Sequence, residues 1–467
     1  MRVQLKEMLS KYKLVPILKS IIKAGGTPYL VGGTVRDLIL GLDVKDIDIE
    51  VHGILLEELE KILKKIGIVH LVGKQFGVLR IKSLDIDWSL PRRDSKGRKP
   101  KVEIDPNMDI KEACRRRDLT INAMAINLSL FLTKNIFKIT DPYCGLNDIK
   151  NKKLKVVDEK LFFEDPLRFY RVIQFVSRFG MRPDAQLKNI CKKIDIREVA
   201  KERIYDEFKK MLLKSKRPSL GIRYLKEIVR LEDIMPEVYA LIGVDQPPKY
   251  HPEGDVFEHT MQALDAAAML DVYEDDYQKI IIMLGVLCHD FGKTLVTDRF
   301  LRARGHEKEG VALSKKFLKR FTGDIFLIKA VQKLVLHHLA PFGFLDQDAK
   351  LGAYRRLAKK LSPELVPKDL GLVALCDRRG RNAKSSKPLK EGKELFDFYM
   401  DKVKEAQVEE GAPKPVLLGR HLLDIVDPGK KMGELLRRAY ELQIEEGIVD
   451  PEELKRRVMK YYSDIEK

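Results

Sequence analysis

The sequence predicts an α+β chain, with a small head built on a mixed sheet and an all-helical remainder. Three observations predict it. Up to about residue 145, β-branched apolar stretches alternate with helical patterns. From about residue 150, strand signals fade and helical periodicity runs to the end. At 467 residues the chain is too long for one core and should hold about three or four folding units.

In order along the chain, residues 1–19 mix charge with apolar positions at roughly helical spacing, an ordinary leading segment rather than a signal peptide. Strands are expected at residues 29–31, 46–51, 77–81 and 85–90. Residues 92–100 (Arg-Arg-Asp-Ser-Lys-Gly-Arg-Lys-Pro) are polar and basic, and predict a mobile surface loop. Further breaks fall near 214–218, 246–252 and 382–388. These divide the chain into a head (1–145), a neck (146–215), a short helical body (216–250), a fourth region (251–385) and a helical tail (386–467).

The formal charge of +18 is spread along the chain, so a folded surface carries it and attracts polyanions in a salt-dependent way. No run of about 18 apolar residues suits a membrane span, so no membrane partner is expected. The cysteines (114, 144, 191, 288, 376) are odd in number, scattered and never in a C-x-x-C pair. That pattern fits a reducing cytoplasm and gives neither a disulfide framework nor a zinc knuckle.

In the head, Gly32-Gly33-Thr34-Val35-Arg36-Asp37 follows a strand and opens a helix. Two glycines let backbone amides approach a phosphate, and Arg36, one turn in, could clamp an oxygen. Alternation over residues 46–51 sends Ile47, Ile49 and Val51 to the core and crowds Asp46, Asp48 and Glu50 on the other face. Neighbouring carboxylates repel unless a cation lies between them. Two Mg2+ ions held there could activate a 3′ hydroxyl and neutralise a triphosphate. Asp87, on a later strand, could supply a third carboxylate.

Gly-Gly-x-x-Arg-Asp, then Asp-x-Asp, then Arg116-Arg117-Asp118-Leu119-Thr120-Ile121-Asn122 occur in that order. Together they resemble the class II tRNA nucleotidyltransferase (CCA-adding enzyme) and bacterial poly(A) polymerase family, which has a polymerase-beta-like head. The resemblance implies that Asp46 and Asp48 hold catalytic Mg2+, and that Arg116, Arg117, Asp118 and Asn122 contact the nucleotide. It also places a flexible loop, used in switching to the last nucleotide, at residues 92–100. Asp141-Pro142-Tyr143-Cys144-Gly145 matches the family's hinge motif.

Glu164-Asp165-Pro166-Leu167-Arg168-Phe169-Tyr170-Arg171 begins a helix, and steps of three put Asp165, Arg168 and Arg171 on one side of it. Cytosine and adenine each present an amino donor beside a ring-nitrogen acceptor. Asp165 can accept from the first while Arg168 donates to the second; guanine and uracil would leave both contacts mismatched. In the resembling family this motif is the protein template for CTP and ATP.

Six of the nine histidines lie between residues 251 and 338. The ordered set His259, His289-Asp290 and Asp377 resembles the HD phosphohydrolase superfamily. Such mixed imidazole and carboxylate ligands suit Ni2+, Mn2+, Co2+ or Fe2+, and tolerate Mg2+. His306 and His338 occupy positions of additional histidines in fuller HD sites, with His337 an alternative to His338 until helix phase is known. The resemblance implies phosphatase, 2′-nucleotidase and 2′,3′-cyclic phosphodiesterase activity. The expectation is therefore template-independent addition of CMP and AMP to a tRNA 3′ end by a monomer or homodimer. A CC- or A-adding specialist and a poly(A) polymerase are alternatives. From a different class comes a phosphohydrolase whose inactive head only binds RNA.

Overall fold

A computed structural model of the chain describes residues 1–44, 46–72, 77–82, 84, 86–94 and 102–465. These fall into two compact units, residues 1–199 and 200–467.

The first unit is built on strands β1 (Thr27–Val31), β2 (Ile47–His52), β3 (Val69–Val72), β4 (Val78–Ile81) and β5 (Ile86–Ser89), a hairpin β6 (Arg92–Asp94) with β7 (Val102–Ile104), then β8 (Ala125–Asn127) and β9 (Ile139–Thr140). Seven form one mixed sheet in the order β3-β4-β5-β2-β1-β8-β9. Among the described residues of this sheet, β2 and β5 pair parallel, in a register that sets Asp48 abreast of Asp87, and the other neighbours pair antiparallel. The alternation expected for β2 is present: Ile47, Ile49 and Val51 are buried, and pack with Val35, Leu38, Ile86 and Trp88 in one core. The second face of β2 is covered as well, since Glu50 and His52 are also buried. A central strand has neighbours on both faces, which an alternating pattern by itself does not reveal.

The expected strands at 29–31, 46–51, 77–81 and 85–90 correspond to β1, β2, β4 and β5, although Asp85 lies outside the described residues. Residues 92–100 need correction. Arg92–Asp94 pair antiparallel with Val102–Ile104, so the stretch begins as a strand, and residues 95–100 lie outside the described residues. A three-residue basic strand is too short to show a period of two.

The second unit is helical among its described residues. Helices Val256–Met269, Asp276–Cys288, His306–Lys319, Ile325–His337 and Pro367–Arg379 pack on one another. Asp255, Asp275 and Asp324 cap three of them, each carboxylate accepting from a backbone N–H three residues on. Close approach depends on glycine: a Cβ at Gly285 would meet Leu334 Cδ1 at 2.5 Å, and one at Gly310 would meet Val335 Cγ1 at 2.8 Å. The tail contributes helices Lys393–Glu405, Lys430–Glu446 and Pro451–Ile465; the first packs on Tyr354 and Ala358, and the other two share a small core of their own.

One stretch departs from the hydropathy expectation. Residues 325–346 are long and apolar enough, by length and composition, to cross a membrane. Leu327, Ile328, Val331, Leu334 and Val335 are buried in the helical unit, which accounts for the apolar composition of the first part of the stretch.

Candidate functional site

In the head, the chain turns at Gly32 with φ 67° before the helix Gly33–Ile39. A Cβ at Gly32 would lie 2.9 Å from Arg117 Nη1 and 3.4 Å from Asp48 Oδ2, so the turn, the arginine and the carboxylate share one place. Thr34 Oγ1, next in the same turn, donates to the Asp46 carbonyl at 3.1 Å and accepts from the Asp48 N–H at 3.0 Å. This hydroxyl ties the start of β2 to the helix opened by Gly33. Asp46 itself is exposed and stands one residue before β2.

The other carboxylates of the expected cluster, Asp48 and Glu50 on β2 and Asp87 on β5, have different surroundings. Burial, with the charges of Asp87 and Asp46, raises the pKa of Asp48 against the pull of Arg117. Asp87 is bonded at 2.6 Å by Arg80 Nε. Glu50 is the correction: it receives Arg116 Nη2 at 2.7 Å, has Arg117 Nη2 at 3.8 Å, and touches His52 at 3.2 Å. Its charge is balanced internally, and it anchors Arg116 rather than joining a cation cradle. Among the described residues, Asp46, Asp48 and Asp87 do not bring ligand atoms within 4.8 Å of one another. Their donor set, oxygen alone and partly solvent-facing, fits a hard cation such as Mg2+.

Arg36 also differs from expectation. It is buried, donating to Asp37 Oδ1 at 2.8 Å and Asn122 Oδ1 at 2.6 Å, and lies over the rings of Phe175 and Phe179. In this geometry it braces the turn from behind and does not present its guanidinium to a phosphate. Gly33 leaves room for it, since a Cβ there would stand 3.3 Å from Arg36 Nη2. Asn122 relays the brace to Asp118, its amide donating at 2.8 Å. Burial opposes charge on Asp118, but Arg171, bonded at 2.6 Å, outweighs it and holds the carboxyl well below the usual range.

Arg171 and Arg168 both come from the helix Leu167–Phe179. Arg168 Nη2 donates to the Arg116 carbonyl at 2.7 Å, and Asp165 Oδ1 accepts from the Leu167 N–H at 3.2 Å. Arg168 is thus held beside the Arg116–Asp118 segment, while Asp165 is fixed by the turn that opens this helix.

In the helical unit, Asp290 sits among four histidines. Its Oδ2 lies 3.2 Å from His289 Nε2 and 3.8 Å from His259 Nε2; its Oδ1 lies 3.3 Å from His306 Nε2 and 4.0 Å from His338 Nε2. Asp377 Oδ1 stands 3.0 Å from His259 Nε2. Each imidazole is aimed by its other nitrogen. The Nδ1 atoms of His289, His306 and His338 meet the carbonyls of Val286, Ala303 and Val335, and that of His259 meets Glu253 Oε1 at 2.7 Å. This back-bonding is how metal-binding histidines are oriented. Helix phase settles the neighbouring pair, because His338 is buried at the cluster while His337 is half-buried beside Lys333 and Lys360.

Buried here with no well-directed hydrogen bond are His259 Nε2, His289 Nε2 and both carboxylate oxygens of Asp290. Imidazole nitrogens and carboxylate oxygens crowded together without well-directed hydrogen bonds fit a metal, and their mixed nitrogen and oxygen character fits a borderline divalent ion. Burial opposes charge on His259, yet Asp377 and Glu253 outweigh it and lift its pKa to about 9. His338, with burial foremost and the His289 charge next, falls to about 3. A cavity of about 260 Å³ opens on this cluster, lined on its charged side also by Lys293 and Arg381. Lys293 Nζ is 2.7 Å from Asp290 Oδ2, and Arg381 Nη2 is 3.1 Å from Asp377 Oδ1.

Sequence reasoning did not single out Thr34, Lys293 or Arg381, and gave Glu253 no role. All four lie inside or just beyond motifs it did quote, so adjacency was the available signal.

A model of the poly A polymerase head domain matches residues 28–155, one described as "Probable RNA and SrmB- binding site of polymerase A" matches 185–241, and the HD domain matches 256–379. The multifunctional CCA protein of Mannheimia succiniciproducens is 32% identical over 373 residues, covering 76% of this chain and 84% of that protein. The chain belongs to the CCA-adding enzyme family, tRNA nucleotidyltransferases, and carries an HD domain. The family protein of Pasteurella multocida is 33% identical over 371 residues, with 76% of this chain and 84% of that protein covered. The fold agrees with solved family members. A Thermotoga maritima CCA-adding enzyme complexed with tRNA matches 98% of this chain and 96% of its own at 22% identity, TM-score 0.58. An apo CCA-adding enzyme matches 97% and 96% at 21% identity, TM-score 0.63.

Proposed function

We propose that this chain adds CMP and AMP to the 3′ end of tRNA, without a nucleic-acid template, and that its HD domain is an active metal-dependent phosphohydrolase. One observation carries the first part: the Gly32 turn stands against both Asp48 and Arg117, joining the carboxylate, an arginine and the opening of a helix in one place. Mg2+, when bound, would supply the positive charge that draws a 3′ hydroxyl and a triphosphate together. Asp46 and Asp48 would be its oxygen ligands, with Asp87 abreast of Asp48 across the parallel pair. The 3′ oxygen, its proton lost to solvent, joins the α-phosphorus; the bond from that phosphorus to the α–β bridging oxygen breaks, and pyrophosphate leaves with the bridging oxygen.

Arg116, Arg117, Asp118 and Asn122 form the nucleotide-facing segment, stiffened by Glu50 beneath and Arg171 beside it. Asp165 and Arg168 read the base. Because the backbone bonds at Leu167 and Arg116 hold them, their donor and acceptor are set before a nucleotide arrives. The division into head, neck, body, HD domain and tail belongs to this reading, with the neck carrying base selection.

For the HD domain, the supporting observation is Asp290 between His259 and His289 on one side and His306 and His338 on the other. A divalent transition metal, when bound, would polarise a phosphoester and acidify a water. His259, His289, Asp290 and Asp377 would hold it, with His306 and His338 able to take a second ion. Lys293 and Arg381 bring positive charge to the cavity for the phosphate. Water oxygen joins phosphorus, one ester P–O bond breaks, and the leaving oxygen takes a proton.

The test incubates purified protein with Mg2+, one labelled nucleotide at a time, and tRNAs ending before C, CC or CCA. Growth that stops after CCA is expected; long A tails or growth only from CC ends would replace this assignment with a poly(A) polymerase or an A-adding enzyme. Replacing Asp46 and Asp48 by alanine should abolish extension and spare hydrolysis of 2′,3′-cyclic phosphates.

A further inference from the structure

The helix Leu167–Phe179 carries two phenylalanines in line with its arginines. Steps of three and four residues place Arg168, Arg171, Phe175 and Phe179 along one stripe. The rings of Phe175 and Phe179 lie nearly parallel, their centroids 5.6 Å apart and their planes at 22°. Among the described residues, three guanidiniums gather round this pair. Arg36 Cζ stands 5.2 Å from the Phe175 centroid and 4.8 Å from that of Phe179. Arg171 Cζ is 5.2 Å from the first ring, and Arg178 Cζ is 4.8 Å from the second.

These contacts close a circuit through three separate stretches of chain. Arg36 Nη1 donates to Asn122 Oδ1 at 2.6 Å, and the Asn122 amide donates to Asp118 Oδ1 at 2.8 Å. Arg171 Nε donates to Asp118 Oδ2 at 2.6 Å, and the Phe175 ring joins Arg171 back to Arg36. A second circuit shares Arg36. Its Nε donates to Asp37 Oδ1 at 2.8 Å, Arg178 Nη2 donates to Asp37 Oδ2 at 3.0 Å, and Phe179 lies against both arginines. Arg36 is 4% exposed, so water does little to solvate its charge, and the negative faces of the rings help to do so. Leucine would fill much of the same space but offers no such face.

We propose that Phe175 and Phe179 are positioning residues for nucleotide selection, locking the base-reading helix to the Gly32 turn. The inference rests on the nucleotide-addition reading given above. In that reading the triphosphate lies at the turn and the base at Asp165 and Arg168, so the protein fixes the separation between the two ends of the nucleotide. A base whose donor and acceptor match Asp165 and Arg168 at that separation keeps its α-phosphorus in place for attack. Were the helix free to shift against the turn, a mismatched base could find other partners without displacing the phosphate. Discrimination would then fall, which loss of stability by itself does not cause.

The test uses the full chain with Mg2+, CTP or UTP, and a tRNA ending before the first C. The readout is the ratio of kcat/KM for CTP to that for UTP. Phe175→Leu should lower this ratio by about tenfold, the scale of one desolvated cation–π contact. Phe179→Leu should lower it as well, while Phe179→Tyr, which keeps the π face at a half-buried position, should match the parent. Phe131→Leu, which trims a ring packed beside Phe137 in the sheet core, should keep the parent ratio whatever it costs in stability. If Phe175→Leu fails to fold, the Phe179 pair decides, and equal ratios for leucine and tyrosine overturn the inference. So does an unchanged ratio in both leucine variants of the helix, or an equal loss in Phe131→Leu. A parent that takes UTP as readily as CTP removes the base-selection reading and the positioning role with it. A discriminating parent with indifferent variants removes the positioning role alone.

Discussion

At Glu50, burial works against the charged carboxylate, yet His52, Arg116 and Arg117 outweigh it and hold its pKa at about 2, below its ordinary 4.5. A carboxyl whose pKa is lower in the folded state stabilises the fold above its unfolded value and loses that contribution as pH falls through the folded one. Glu50→Gln should therefore lower stability by about 3 kcal/mol near neutrality, as breaking a buried pair does. The gap between parent and variant should close between pH 4.5 and about 2, which denaturant unfolding followed across that range will measure. Gly32 sets a second expectation. Alanine there would need φ 67° and would meet Arg117 at 2.9 Å. Nucleotide extension by Gly32→Ala should drop by about tenfold or more, the kinetic equivalent of a strained or displaced turn. Both residues stood in quoted motifs, but only the glycine's role was readable. Whether a strand carboxylate meets a cation or an arginine depends on what folds over it, and Arg116 arrives from 66 residues away.

Among the elements, the histidine helices show what packing distance contributes. The Gly292 backbone lies so close to the helix His306–Lys319 that a Cβ would stand 2.0 Å from the His306 carbonyl oxygen and 2.7 Å from the Gly310 nitrogen. Gly292→Ala should push that helix outward and cost about 2–3 kcal/mol from overpacking. It should also draw His306 away from Asp290. Thermal unfolding and phosphoester hydrolysis should both fall, while nucleotide extension persists; unchanged hydrolysis would show that His306 is dispensable. The element order was readable because long helices and β-branched strands carry clear periods. The short strands β3, β6, β7, β8 and β9 were not, since two to four residues give little room for a period to show.

For the whole molecule, the two candidate centres lie in separate compact units, residues 1–199 and 200–467. Asp290→Asn should abolish hydrolysis and leave extension within about twofold, as expected for independent sites. Loss of both activities would show that the units depend on each other. The +18 charge also has a global consequence. Affinity for tRNA should fall by roughly tenfold or more between about 50 and 200 mM salt through counterion release. Filter binding across that range will test it, and a flat response would assign binding to non-ionic contacts.

The sequence by itself determined which residues could do chemistry, because motif order and residue type are local properties of the chain. It also determined that a sheet comes first and helices follow. Only the tertiary structure decided which of those residues meet. It turned Glu50 and Arg36 inward as braces, chose His338 over His337, and placed Asp290 among four histidines from four stretches of chain. The reason is physical: a carboxylate or imidazole takes its role from the charges and donors around it, and most of those are distant in sequence.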